Sequence, residues 1–258
     1  MSDESRPSPT RQAPDTRANT PTAAVIPAAG RGVRLGPGAP KALRALGGTP
    51  MLIHAVRAMA ASRGVSLVVV VAPPDGAAEV KSLLDAHALP ERTDFLVVPG
   101  GESRQESVRL GLDALPPEYG IVLVHDAARP LVPVDTVDAV IDAVREGAPA
   151  VVPAVPLADT VKQVEPAEVP GEPEPVVATP ERARLRAVQT PQGFDRGTLV
   201  RAHGTVTENV TDDASMVEQL GLAVVVVPGH EEAFKVTRPL DMVLAEAVLA
   251  RRRMNDGF

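Results

Sequence analysis

Apolar residues in this chain come in short unbroken runs, separated by stretches in which they recur every three or four positions. The runs at 23–28, 67–72, 94–98, 121–125, 150–155 and 223–227 are dominated by Val, Ala, Leu and Ile. Near-continuous runs of this length predict strands buried on both faces. Between them, residues 50–62 place Leu52, Val56 and Met59 on one stripe, and residues 104–115 do the same with Val108, Leu112 and Leu115. That spacing predicts amphipathic helices. Further helices are predicted at 77–87, 134–146, 211–220 and 239–252. Strands alternating with helices predict an α/β fold with a doubly wound, mostly parallel sheet. Ligands of such sheets sit at the carboxyl ends of the strands.

Two segments break the alternation. Residues 1–22 hold four prolines and no Val, Ile, Leu or Phe. They offer too little apolar surface to offset chain entropy, which predicts a disordered N-terminal tail followed by one domain over 23–254. Residues 159–181 hold five prolines and six acids between Thr160–Val164 and Val176–Thr179. Two short strands with a Pro/Glu-rich tip are predicted there, forming a projecting β-hairpin arm over 157–181. A free two-stranded hairpin is marginal in water, so packing on a second copy would steady it as a dimer arm. A mobile surface loop is the alternative.

Composition narrows the function. The chain has 258 residues, a net charge of −7 and no cysteine, and aromatic residues make up only 2% of it. The acidic balance and the scarcity of stacking rings argue against a nucleic-acid reader. Without cysteine there are no disulfides, thiolate metal sites or thiol nucleophiles. No apolar run approaches the ~20 residues of a membrane span, and the N-terminus lacks a signal-peptide core, so a cytoplasmic protein with no membrane partner is expected.

Against that acidic background, one loop stands out. Pro27-Ala28-Ala29-Gly30-Arg31-Gly32 and the residues up to Lys41 follow the first predicted strand and carry Arg31, Arg34 and Lys41. Small residues let backbone N–H groups approach an anion closely, and fixed cations beside them suit a polyphosphate. The loop lacks the Gly-Lys-Ser/Thr of a Walker loop. It also fails as a dinucleotide fingerprint, because the third glycine position is Leu35. That failure disfavours a nicotinamide-dependent oxidoreductase. A catalytically silent nucleotide sensor is disfavoured by the cations Arg34 and Lys41.

Four more clusters fall at predicted strand ends or helix starts. His125-Asp126-Ala-Ala-Arg129-Pro130 ends the fourth strand, and Gly100-Gly101-Glu-Ser-Arg104-Gln-Glu-Ser107 opens a helix with Ser103 as its cap. Thr211-Asp212-Asp213-Ala214-Ser215 puts acids in a first helical turn, which suits the helix dipole without any further role. Lys235-Val-Thr-Arg-Pro239 joins the last strand to the last helix. No two of the five histidines show metal-ligand spacing. Mg²⁺ carried in with a nucleotide fits better than a metal held by the protein alone.

These clusters, with Asp159-Thr160-x-Lys162 and Thr190-Pro191-Gln192, resemble in order the motifs of the 2-C-methyl-D-erythritol 4-phosphate cytidylyltransferases over roughly residues 23–250. The resemblance implies a Rossmann-like nucleotidyltransferase fold. It also implies a reaction in which CTP and methylerythritol phosphate give a cytidine diphospho-polyol and pyrophosphate, in isoprenoid precursor synthesis. By motif, Arg34 and Lys41 would stabilise charge in the transition state, and Arg182 and Lys235 would position the acceptor phosphate. Asp126, Arg129, Thr160, Thr190 and Thr211 would line the acceptor pocket. Pro27, Ala28, Ala29, Gly30, Gly32, Gly101, Arg104, Ser107 and Asp126 would bind CTP. The resemblance further implies a homodimer in which the arm, with Thr160 and Arg182, serves the partner's site. Ala42-Leu43-Arg44 departs from the family's usual Gln-Tyr/Phe-Leu after the lysine. A related nucleotidyltransferase acting on another polyol phosphate, such as ribitol 5-phosphate, is the nearest alternative.

Overall fold

A strand flanked on both faces by helices must alternate its side chains between two cores, and the valine runs of this chain do so. In a computed structural model, residues 20–30, 40–206 and 210–255 are described. The predicted tail up to Asn19, together with Gly32 and Arg34, lies outside them. The described chain opens with β1 (Thr22–Pro27), a tight hairpin of β2 (Ala45–Leu46) and β3 (Thr49–Pro50), and α1 (Met51–Ala61). Then come β4 (Val65–Ala72), α2 (Ala77–Asp85), β5 (Asp94–Pro99), α3 (Arg104–Asp113), β6 (Ile121–Val124), α4 (Val134–Arg145) and β7 (Ala150–Pro156). The arm carries β8 (Gln163–Val164) and β9 (Val176–Ala178). After it follow β10 (Arg186–Val188), β11 (Gln192–Asp195), α5 (Arg196–Thr205), α6 (Asp213–Gln219), β12 (Val224–Pro228) and α7 (Pro239–Asn255).

β5, β4, β1 and β6 run parallel side by side. β11 pairs antiparallel with both β6 and β7, and β12 runs parallel to β7. β10 pairs antiparallel with β7 at Ala154–Pro156, beyond the reach of β11. Ala24 and Ile26 of β1 pack with Leu52 and Met59 of α1, Val80 of α2 and Ile141 of α4. Ala23 and Val25 face the other core, with Val108 of α3, Leu199 of α5 and Met216 of α6. Period-two alternation along the strands thus feeds two separate cores. Burying each Val or Leu contributes ~1.5–3 kcal/mol.

The parallel βα succession follows the hydrophobic pattern, and the differences have local causes. β10, β11 and α5 carry little periodic signal. β11 has one large apolar residue, Phe194, and α5 buries only Leu199, Ala202 and His203. α6 begins at Asp213 rather than at 211, because the Asp212 side chain caps it by accepting from the Ser215 N–H at 3.0 Å. Ser103 caps α3 as expected, accepting from the Glu106 N–H at 3.0 Å. Gly111 lets α3 lie close to the sheet, since a Cβ there would meet Val25 Cγ1 at 2.5 Å. Gly47 and Gly48, at φ 57° and 82°, form the turn between β2 and β3. Two left-handed residues in succession suit glycine at a hairpin turn. α7 docks on this turn, where Glu246 Oε1 accepts from the Gly47 N–H at 2.8 Å.

Candidate active site

The carboxyl ends of β1, β5 and β6 open onto one cleft of about 220 Å³. Pro27, Ala28, Ala29 and Gly30 form its floor after β1, Gly101, Arg104 and Ser107 come from the start of α3, and Asp126 follows β6. Lys41 reaches it from a short 3-10 turn (Lys41–Leu43), and Lys235 from the segment before α7. Ala42, one of the departures from the family pattern, also lines the cleft while packing into the core. The fold therefore brings together the described part of the glycine loop and three motifs separated widely in sequence.

Some backbone and hydroxyl groups of this wall are already engaged. The Ala28 N–H donates to the Val71 C=O at 2.8 Å and is not open to a ligand. Ser107 is fully buried, and its hydroxyl accepts from the Gly101 N–H at 3.2 Å. A Cβ at Gly100 would stand 2.8 Å from the Ala72 carbonyl oxygen, so this turn has room only for glycine. At the described start of the predicted anion loop, Ala28 is thus tied by its backbone to the end of β4.

Asp126 is the electrostatic centre. Its Oδ2 lies 2.7 Å from Lys235 Nζ and 4.0 Å from Arg129 Nε, while its Oδ1 lies 3.7 Å from Arg104 Nε. Burial opposes its charge, but Lys235, then Arg104 and Arg129, outweigh burial and hold the carboxyl at about 2. Arg129 is anchored through its other nitrogens, which donate to the carbonyls of Ala233 at 2.7 Å and Val188 at 3.2 Å.

Behind Asp126 lies a buried relay. His125 is fully buried, and burial pushes its imidazole down to about 4. Its Nε2 lies 3.1 Å from the Arg129 carbonyl, which can only accept, so Nε2 carries the proton. The neutral ring then accepts at Nδ1 from the Thr190 hydroxyl, 3.0 Å away, and that hydroxyl accepts from the Asp126 N–H at 3.0 Å. Thr190, expected as an acceptor-pocket residue, spends its hydroxyl proton inside the protein.

Asp213 has a role that its position in a first helical turn did not signal. It is almost wholly buried, 2.7 Å from Arg104 NH1 through Oδ2 and 3.0 Å from His203 Nε2 through Oδ1. Burial opposes its charge, yet the His203 hydrogen bond and Arg104 hold its carboxyl below the usual range. Arg104 is therefore stretched between two carboxylates, one in the cleft wall and one beneath it. The Asp-Asp pair of the sequence was the available signal, and the partner of Asp213 came from a helix more than a hundred positions earlier.

Thr160, Arg182 and Thr211 are exposed and do not line the cleft. Arg182 NH1 donates to the Ala158 carbonyl, tying the base of the arm, and Lys162 Nζ donates to Thr179 Oγ1 at 2.8 Å across it. Among the described residues, no group of three or more His, Asp or Glu is arranged to hold a metal ion.

The sequence profile of the 2-C-methyl-D-erythritol 4-phosphate cytidylyltransferases matches residues 22–251. A protein of that description from Streptomyces coelicolor is 88% identical over the whole of both chains. One from Frankia casuarinae is 55% identical, covering 89% of this chain and 81% of its own. Among solved structures, the 4-diphosphocytidyl-2C-methyl-D-erythritol synthase of Anaerococcus prevotii superposes with a TM-score of 0.76 at 27% identity, covering 90% of this chain and 96% of its own. The cytidylyltransferase of Thermus thermophilus gives 0.66 at 34% identity, with 87% and 97% covered. With the ordered motifs, the cleft they build and a match over nearly every described residue, this chain belongs to the 2-C-methyl-D-erythritol 4-phosphate cytidylyltransferase family.

Proposed function

We propose that the Asp126-centred cleft is where this chain carries out its family's reaction. The chain is a cytidylyltransferase: a cytidylyl group passes from CTP to 2-C-methyl-D-erythritol 4-phosphate, giving 4-diphosphocytidyl-2-C-methyl-D-erythritol and pyrophosphate in isoprenoid precursor synthesis. An oxygen of the acceptor phosphate attacks the α-phosphorus, a new P–O bond forms, and the bond to the β-phosphate oxygen breaks. The attacking group is already anionic, so little general-base help is needed. The obstacle is bringing a second anion onto a triphosphate, which positioning and fixed positive charge overcome.

The observation that carries this reading is the convergence of Lys41, Arg104 and Lys235 on one cleft in a chain of net charge −7. In it, Lys41 stabilises charge at the α-phosphate, with Arg34 as its partner in that role by motif. Lys235 holds the acceptor phosphate, exchanging its contact with Asp126 for the incoming anion. Asp126, kept ionised, and Arg129 then face the polyol. Pro27, Ala28 through its carbonyl, Ala29, Gly30, Gly101, Arg104 and Ser107 surround the nucleotide, with Gly32 added by motif.

A Mg²⁺ ion would arrive with CTP and be held chiefly by the phosphate oxygens, since Mg²⁺ needs only one or two carboxylates beside them and Asp126 faces Lys235, Arg104 and Arg129. When bound, it would withdraw charge from the triphosphate. We assign residues 23–254 to one domain and the 157–181 arm to a homodimer contact that brings Thr160 and Arg182 to the partner's cleft. Val176 and Val177 of β9 are 56% and 55% exposed, which supports burial against a second copy. Among the described residues, no helix is long and apolar enough to cross a membrane. A cytoplasmic setting with small-molecule substrates, and no nucleic acid, completes the reading.

Pyrophosphate release with CTP, Mg²⁺ and methylerythritol phosphate tests it directly. Release is expected with this pair and not when ribitol 5-phosphate replaces the acceptor. Release with ribitol phosphate alone would overturn the substrate assignment.

A further inference from the structure

Three side chains of the five residues Val188–Gln192 each hold a different segment that supports the cleft. Thr190 takes the Asp126 N–H, as described. Gln189 Nε2 donates to the His230 carbonyl at 2.8 Å, while its Oε1 accepts from the His230 N–H at 3.0 Å. Gln192 Nε2 donates to Asp212 Oδ2 at 2.7 Å, while its Oε1 accepts from the Ala214 N–H at 3.1 Å. Gln189 and Gln192 are 5% and 1% exposed, and neither lines the cleft. Each primary amide meets an acceptor at its nitrogen and a donor at its oxygen. A flipped amide would oppose like groups at both ends, so each side chain is fixed in one orientation.

What they hold is specific. His230 caps the short turn Glu231–Ala233, which delivers Lys235 to Asp126. Asp212 and Ala214 open α6, whose Asp213 holds Arg104. We propose that Gln189 and Gln192 are positioning residues acting through two separate clamps, Gln189 setting Lys235 for the acceptor phosphate and Gln192 setting the Asp213–Arg104 pair for the nucleotide. The inference rests on the substrate roles assigned above to Lys235 and Arg104. Without the glutamine amides, the buried Ala214 N–H and the part-buried His230 N–H would lose the partners that fix their segments, and each segment would shift.

The test replaces each amide with a thioether of similar length. Gln189→Met should raise the KM for methylerythritol phosphate about tenfold and leave that for CTP within about twofold, while Gln192→Met should do the reverse. Hydrogen exchange followed by mass spectrometry should quicken only at 229–235 in the first variant and only at 212–216 in the second. Lys235→Ala and Arg104→Ala serve as references. If these fail to raise the matching KM, the substrate roles fall, while the exchange pattern still reports on the clamps. If the references act but the glutamine variants leave both KM values unchanged, or shift them equally, the positioning roles are wrong. Loss of protection spread over the whole sheet also overturns them, since it marks a merely structural part.

Discussion

Lys41 stands on a three-residue turn at the edge of the cleft, so its removal takes away charge without opening the core. Lys41→Ala should lower kcat at least ~100-fold with an unchanged melting midpoint, because preorganised charge acts mainly on the transition state. Near-normal pyrophosphate release would refute its catalytic assignment. His125 makes a different prediction. Its imidazole titrates at about 4 in the fold, against the ordinary value of 6.5. Between those values the unfolded chain binds the proton and the folded chain does not, so the stability contributed by neutral His125 is full above pH 6.5 and drains away as pH falls towards 4. Asp126 adds the carboxylate case: held at about 2 against 3.8, its contribution is present above 3.8 and is lost as pH falls through 2. Denaturant unfolding at stepped pH should show wild type weakening from pH 6.5 to 4, with that part of the slope missing in His125→Gln. An identical slope in both would show that His125 does not titrate in this window.

At the scale of elements, residue types in βα succession predicted the parallel strands, but burial on both faces holds only for the inner runs of β1, β4 and β6. β5 and β12 lie at the sheet edges and stay half-exposed, with Val225 and Val226 of β12 at 41% and 51%. Residue types predicted the antiparallel insert poorly. β11 is specified by neighbours on both sides rather than by its own pattern, and its sequence, Gln-Gly-Phe-Asp, would suit a loop as well. The same limit applies to the site. Arg104, Asp126 and Lys235 were legible because strand ends and helix starts are where ligands sit. Asp213, Gln189 and Gln192 were not, because their partners lie far along the chain and only the folded register pairs them. The arm offers an element-scale test of its own. Replacing Val176 and Val177 together with Glu should leave the sheet folded and shift sedimentation from dimer towards monomer. A dimer that persists unchanged would locate the subunit contact elsewhere.

Across the whole molecule, a net charge of −7 coexists with a cleft in which the acids Glu102 and Asp126 are outnumbered by the cations Lys41, Arg104 and Lys235. The two carboxylates that interleave them, Asp126 and Asp213, keep Lys235 and Arg104 from repelling one another before substrate arrives, and they fix where each cation points. Arm and cleft divide the motif residues differently. Thr160 stands on the arm and Arg182 at its base, both away from the cleft of their own chain. If they complete a neighbour's cleft, a single newly made chain is an unfinished enzyme, however well it is folded. The appearance of activity after synthesis or dilution would then be second order in chain concentration, and the amount of enzyme in a cell would set the time needed to assemble its parts as well as its capacity.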